Sequence, residues 1–197
     1  GYPLSYITGN REFYGIELKI SEGVLIPRQE TELLVETAIK ISEMIKGHQI
    51  RVADIGTGSG AIAVAVALNI DDSFVYACDI SDIALKIADK NIKKYSLENK
   101  IQLCHGDLLD SLLTKVDIIL SNPPYIPTNQ IQDLSKEVLN EPKIALDGGM
   151  DGLVSITKLM KQAIDKLKPK GAMVIEISPE LSERVIKLAD KYFPESQ

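Results

Sequence analysis

The sequence predicts an α/β fold: a mostly parallel sheet with helices on both faces, preceded by a β-hairpin. Three observations carry this. Short apolar runs alternate along the chain with segments of helical periodicity. Gly56, Asp79, Asp107 and Asn122 each follow the end of such a run, where open α/β sheets bind their ligands. The 197 residues are 45% hydrophobic and 25% charged, which suits one domain with a full core and excludes a disordered chain.

The elements follow in order. Residues 11–27 carry Phe13, Tyr14, Ile16, Leu18 and Ile20, then Val24, Leu25 and Ile26, with Ser21-Glu22-Gly23 between, and this spacing predicts a hairpin that Pro27 ends. From Glu30, the residues Leu33, Leu34, Ala38, Ile41 and Ile45 keep helical spacing, with acidic residues in the first turn. Ile50–Ile55 is a strand, Ala61–Leu68 a helix and Phe74–Cys78 a second strand. Ile83, Ala84, Ile87, Ala88 and Ile92 mark a helix with Ser81 as its N-cap. Strands follow at Ile101–Cys104 and Val116–Leu120. Leu153 to Leu167 forms one helical face, which Lys168-Pro169-Lys170-Gly171 stops. A fifth strand at Ala172–Ile177 and a last helix over Leu181–Lys191 complete the pattern. Residues 1–29 read as a linker and hairpin leading into a catalytic domain over 30–197.

Composition narrows the function. The balance of 22 basic against 28 acidic residues gives a net charge of -6, which disfavours nucleic acid as the principal ligand. Cys78 and Cys104 sit in apolar runs and read as buried thiols. His48 and His105 lack neighbours at ligand spacing, so no metal is expected. No apolar stretch is long enough to cross a bilayer and no signal peptide opens the chain, so the sequence reads as cytoplasmic.

Gly56-Thr57-Gly58-Ser59-Gly60 lets the backbone turn sharply and approach a ligand without Cβ clashes. The helix beginning near Gly60 adds free N–H groups. At the end of the next strand lies Asp79, a carboxylate placed to accept both hydroxyls of a ribose. Together they point to a nucleoside-bearing cofactor, and the Gly-x-Gly-x-Gly spacing leans toward S-adenosylmethionine over a dinucleotide. Asp107 either approaches an adenine edge or caps a turn.

Asn122-Pro123-Pro124-Tyr125 decides between the cofactors. Two prolines after a buried strand stiffen the backbone and remove two donors, leaving rigidly placed carbonyls. Asn122 adds a side-chain acceptor and Tyr125 an aromatic face. Such a loop suits the NH₂ of a flat, conjugated group. Its two protons meet two acceptors, charge on nitrogen is favoured as a methyl arrives, and no strong base is needed.

These residues resemble the HemK family, the protein-(glutamine-N5) methyltransferases that modify peptide chain release factors. The resemblance lies in Pro3–Gly9, Phe13-Tyr14-Gly15, Val24–Glu32, Asp54–Gly60, Asn122–Tyr125, Glu141-Pro142, Ala145-Leu146 and Gly149-x-Asp151-Gly152-Leu153. It implies a Rossmann-like class I S-adenosylmethionine-dependent methyltransferase fold, with the cofactor held by Gly56, Thr57, Gly58, Ser59, Gly60, Asp79 and Asn122. It places Leu108 at an adenine-contacting position where members often carry an aromatic residue. Asn122, Pro123, Pro124 and Tyr125 would frame the substrate glutamine, with Arg28 bordering the pocket. The chain departs from the family at Gln29, usually proline, and at Ser178, usually glycine. The resemblance also implies an N-terminal helical domain and final antiparallel strands outside this sequence. The expected partner is a release factor, with no direct nucleic-acid contact. The rivals are a DNA N6-adenine methyltransferase, which would have to flip its base, and a cofactor-binding module without activity.

Overall fold

The computed structural model describes residues 1–194; the last three residues of the predicted 30–197 domain lie outside them. After a short helix α1 (Leu4–Thr8) come strands β1 (Asn10–Phe13) and β2 (Ile16–Lys19), paired antiparallel with Phe13 opposite Ile16. The hairpin is present, but its turn is Tyr14-Gly15 and not Ser21-Glu22-Gly23. Both turn residues have positive φ, 49° and 72°, the backbone that makes a two-residue turn follow the twist of its strands. Val24–Ile26 is not a strand. That segment is extended chain whose Val24 and Ile26 fill the core beside Phe13, Leu18 and Ile20.

The α/β unit then follows as α2 (Glu32–Ser42), β3 (Ile50–Ile55), α3 (Ala61–Asn69), β4 (Ser73–Asp79), α4 (Asp82–Lys94), β5 (Ile101–His105), β6 (Val116–Ser121), α5 (Val154–Lys166), β7 (Leu167–Ile175) and α6 (Ser182–Tyr192). Ser81 caps α4 as its side chain predicts, accepting from Ala84 N at 3.3 Å. β7 starts five residues earlier than the sequence reading and ends two earlier. Leu167 leaves the helix because it pairs with Val116, and the register between β6 and β7 shifts before Ala172 meets Ile118. The Lys-Pro-Lys-Gly segment is taken up in this irregularity, with Lys170 at φ 64°.

All four pairings in the main sheet are parallel, in the order β5-β4-β3-β6-β7. Right-handed crossovers explain the layering. The chain moves from β3 to β5 in one direction, so α3 and α4 cover one face; it moves from β6 to β7 in the other, so α5 covers the opposite face. Alternate strand residues divide accordingly. Val52, Val75 and Ile118 meet α2, α3 and α4, while Ala53, Cys78 and Ile119 meet Leu159 and Ala163 of α5. α3 is apolar all round because Ala61 to Ala67 are all buried, enclosed by the sheet, α2 and α4.

Polar groups tie this frame together at two ends. At the amino ends of the strands, Asp117 accepts from Arg51 N and Lys168 Nζ, each at 2.8 Å, and meets His48 Nε2 at 2.8 Å. Burial opposes its ionisation, yet these partners hold its carboxyl below the usual carboxylate range. Towards the other end, the fully buried Asn91 of α4 joins three segments. Its Oδ1 accepts from Lys19 N at 2.7 Å, and its Nδ2 donates to Lys19 O at 2.9 Å and Ser59 O at 2.8 Å. The hairpin, α4 and the glycine loop are therefore held by one side chain. Asn91→Leu, similar in volume, leaves those backbone groups without partners and should lower the unfolding free energy by about 1–3 kcal/mol; urea denaturation reads the loss, and an unchanged midpoint would remove Asn91 from the frame.

Candidate functional site

The sheet order reverses between β3 and β6, and the carboxyl ends of these neighbouring strands open a crevice there. Ser121 Oγ donates to Ile55 O at 2.8 Å, locking the two strand ends side by side before both chains turn away. The glycine loop leaves β3, the Asn122–Tyr125 loop leaves β6, and Asp79 ends β4.

Gly56, Gly58 and Gly60 all have positive φ, at 73°, 56° and 80°. Their surroundings differ. A Cβ on Gly56 would meet nothing within 4 Å, and one on Gly58 only Gly56 O at 3.9 Å, so both face open space. A Cβ on Gly60 would press on Ala88 of α4 at 3.2 Å, so that glycine serves close helix packing. Gly56 N and Thr57 N donate back to Cys78 O at 2.9 and 3.0 Å, binding the loop to the end of β4. The buried Asp54 supports it from below, with Oδ2 accepting from Thr57 Oγ1 at 2.6 Å and Ala63 N at 3.1 Å. Desolvation pushes the Asp54 carboxyl up to about 7, against the pull of those two hydrogen bonds. Its Oδ1 is buried without a partner.

The Asp79 carboxylate accepts from Gly58 N at 2.8 Å through Oδ2 and from Ser81 N at 2.9 Å through Oδ1. Burial raises its pKa, and these N–H groups work against that rise. Each oxygen keeps a further lone pair for an incoming donor. Leu108, at φ 57°, is half-buried on the far side of β5. Asp107 pairs with Lys158 of α5 at 2.5 Å, and its backbone carbonyl accepts from Asp110 N at 3.2 Å. The Asp107 side chain is thus engaged by Lys158, and the turn that follows β5 is closed by its backbone carbonyl.

Asn122 is half-buried, and its Nδ2 donates to Thr31 Oγ1 at 3.0 Å. Thr31, at the start of α2, is buried. With nitrogen committed to Thr31, Oδ1 is the free acceptor of the Asn122 amide. Among the described residues, no hydrogen bond reaches the carbonyls of Pro123 or Pro124. The loop is braced from behind by residues 146–152. Ile126 N donates to Leu146 O at 3.0 Å and Gly148 N to Ile126 O at 2.8 Å. A Cβ on Gly148 would lie 2.7 Å from Tyr125 Cα and 2.8 Å from Pro124 O, and one on Gly152 would strike Tyr125 O. Tyr125 is half-buried, and burial raises its pKa, with Glu176 adding to the rise.

Arg28 forms an ion pair with Glu141, whose other oxygen accepts from Ile26 N at 2.9 Å. The Glu141 side chain is 1% exposed and that of Arg28 is 35%. Arg28 therefore clips the segment after the hairpin to the segment following the Asn122 loop. Its positive charge also opposes the rise that burial causes in the pKa values of Tyr125 and Glu176.

Among the residues that were not in the predicted site are Thr31, which stands inside the 24–32 segment, Glu176, which directly follows β7, and Gly148, which carried no signal at all. Glu176 N donates to Ser121 O at 2.9 Å, which places its side chain beside Thr31 and Asn122. Among the described residues, no group of three or more His, Cys, Asp or Glu is arranged to hold a metal, and no helix is long and apolar enough to cross a membrane.

Known proteins share this arrangement. The sequence profile of the Methyltransferase small domain family matches residues 29–154. The release factor glutamine methyltransferase of Moorella thermoacetica is 42% identical over 190 residues, which cover 96% of this chain and 66% of that protein. That of Streptococcus pneumoniae is 42% identical over 196 residues, covering 99% of this chain and 68% of the other. The chain spans about two thirds of the length of the curated relatives it matches. Among solved structures, the ribosomal protein L11 methylase of Lactobacillus delbrueckii subsp. bulgaricus superposes with a TM-score of 0.61 at 21% identity, over 89% of this chain and 74% of that one. A T. thermophilus 16S rRNA N2 methyltransferase, solved with AdoMet and guanosine, gives 0.68 at 21% identity, over 94% of this chain and 45% of the other. These two share the fold, the Rossmann-like class I methyltransferase architecture. The curated relatives, matched along nearly all of this chain, share more: the chain belongs to the release factor glutamine methyltransferase family.

Proposed function

We propose that this chain transfers a methyl group from S-adenosylmethionine to the side-chain amide nitrogen (N5) of a glutamine in a peptide chain release factor, working in the cytoplasm. The observation that carries the reading is the Asn122 amide. Its nitrogen is occupied by Thr31, so its oxygen is the group offered to a ligand at the switch point.

The crevice fits the cofactor on its own geometry. Gly56 and Gly58 leave open space above a loop of positive φ, and Asp79 presents carboxylate lone pairs beside it. In this reading Gly56 to Gly60 hold the amino-acid end of S-adenosylmethionine, Asp79 the ribose and Leu108 the adenine edge. The bound cofactor supplies an electrophilic methyl on a positively charged sulfur. Asn122 Oδ1 and a proline-loop carbonyl accept the two protons of the glutamine NH₂, while Tyr125 lies against the flat amide. Those acceptors favour positive charge on nitrogen in the transition state, and the stiff loop supplies the orientation. The methylated nitrogen is acidic enough to pass its proton to water, so no strong base takes part. Arg28 contributes by fixing the border of the crevice through Glu141.

The adenine alternative requires a base to be flipped into the same crevice. The net charge of -6 works against a phosphate backbone, and the relatives about 42% identical to this chain are named release factor glutamine methyltransferases. A release factor therefore remains the proposed partner.

Two measurements test the reading. Asp79→Ala removes a charged acceptor worth roughly 1.5–3 kcal/mol, so calorimetry should show S-adenosylmethionine binding weakened by about tenfold or more; unchanged affinity means the ribose is held elsewhere. Asn122→Ala should lower kcat on a glutamine-containing peptide by about a hundred- to a thousandfold, with a smaller effect on cofactor binding. Tyr125→Phe should be mild and Tyr125→Ala severe, since the ring face is what the reading uses. Single-turnover transfer at saturating cofactor, with circular dichroism to confirm folding, gives the answer, and near-normal turnover by Asn122→Ala would take the loop out of the mechanism.

A further inference from the structure

Glu176 is a half-buried carboxyl that the mechanism above does not use. It follows β7, the neighbour of β6, and its Oε2 has no hydrogen-bond partner among the described residues. Its carboxyl interacts with Thr31 and Asn122, the same two side chains that bond to each other. We infer that Glu176 is a positioning residue for methyl transfer: through Thr31 it fixes which way the Asn122 amide faces, so that Oδ1 and not Nδ2 meets the substrate. The inference rests on the proposed acceptor role of Asn122.

The argument follows from donor and acceptor counts. An ionised carboxylate only accepts. Thr31 has one hydroxyl proton, and directing it to the Glu176 carboxylate would leave only lone pairs for Asn122. Asn122 must then present Nδ2, which is the arrangement observed. Glu176 itself also favours Nδ2 over Oδ1. A protonated or amidated side chain at this position would lift the restriction. It could donate to Thr31, whose hydroxyl would then be free to donate to Oδ1, and the flipped amide would point a donor at the substrate NH₂. An asparagine that repels the target nitrogen is as damaging as one that is absent.

The surroundings make this lock sensitive to pH. Burial raises the Glu176 pKa first, and Glu30 adds to the rise; the hydrogen bonds from Thr31 and Asn122 and the charge of Arg28 oppose it. Tyr125, also facing Glu176, is uncharged at neutral pH because its own pKa is raised. Glu141 is paired with Arg28. The ionised, orienting form therefore dominates at high pH. It is lost as pH falls through a value above the ordinary glutamate range.

The test compares the wild-type chain with Glu176→Gln on a glutamine-containing peptide, reading kcat against pH at saturating cofactor so that Asp54 and Asp79 do not enter through binding. Wild type should show an acid limb. A folded Glu176→Gln should lose about ten- to a hundredfold in kcat and lose that limb, with cofactor affinity unchanged. In parallel, the side-chain NH₂ resonance of Asn122, assigned by its absence from Asn122→Ala, should move with pH in wild type and stay still in Glu176→Gln. If Glu176→Gln does not fold, Thr31→Val breaks the same relay and Thr31→Ser restores it. A folded Glu176→Gln with wild-type kcat and an intact acid limb overturns the inference. A wild-type chain whose Asn122 resonance titrates with Glu176 but which moves no methyl to glutamine upholds the orienting contact and overturns the glutamine reading instead.

Discussion

The handedness of the crossovers is the constraint on which the site depends. Right-handed β–α–β connections send α3 and α4 to one face and α5 to the other only if the chain reverses its direction across the sheet. That reversal happens between β3 and β6. At the point of reversal two loops leave adjacent strands for opposite sides, and no helix roofs the gap between them. The glycine loop and the Asn122 loop face each other there because the sheet has nowhere else to divide. The bond from Ser121 Oγ to Ile55 O fixes the separation of the two strand ends, so the crevice inherits its shape from the sheet.

Charge reinforces the same geometry. Asp117 is paired with Lys168 at the amino ends of the strands, away from the loops. Near the loops the pattern reverses. Asp54, Asp79 and Glu176 are carboxyls whose pKa values burial raises, and among the described residues none of them has a lysine or arginine in salt-bridge contact. The crevice thus combines backbone N–H groups with acidic side chains whose ionisation burial opposes. Such a lining suits a ligand that carries both a carboxylate and a positive charge.

The sequence made the elements and the strand-end residues legible because both are local signals. Periodicity identified α4 and its Ser81 cap, and the rule for open α/β sheets pointed to Gly56, Asp79 and Asn122 before any coordinates. The hairpin turn was misplaced because Ser21-Glu22-Gly23 has the composition of a turn, whereas Tyr14 adopts a left-handed backbone that its residue type disfavours. The start of β7 was missed because the Pro-Gly segment looks like a break and is absorbed instead as a register shift. What stayed hidden depends on distance along the chain. Asn91 reaches Ser59 across 32 residues, Asn122 reaches Thr31 across 91, and Arg28 reaches Glu141 across 113. No periodicity records such pairings. Arg28 was expected at the pocket border by resemblance alone; the contact found for it is the ion pair with Glu141.

The packing of Gly148 and Gly152 against the backbone of Pro124 and Tyr125 has a consequence for how this site can diverge. Both contacts are backbone to backbone, so a side chain at either glycine cannot be accommodated by choosing another rotamer; it would displace the loop itself. The two segments are therefore bound to change together or not at all, like the halves of a mould. Segment 128–140 carries no such restriction, since most of its residues are exposed. New specificity among proteins built on this frame is free to arise there, by redrawing what surrounds the crevice while its inner surface stays constant.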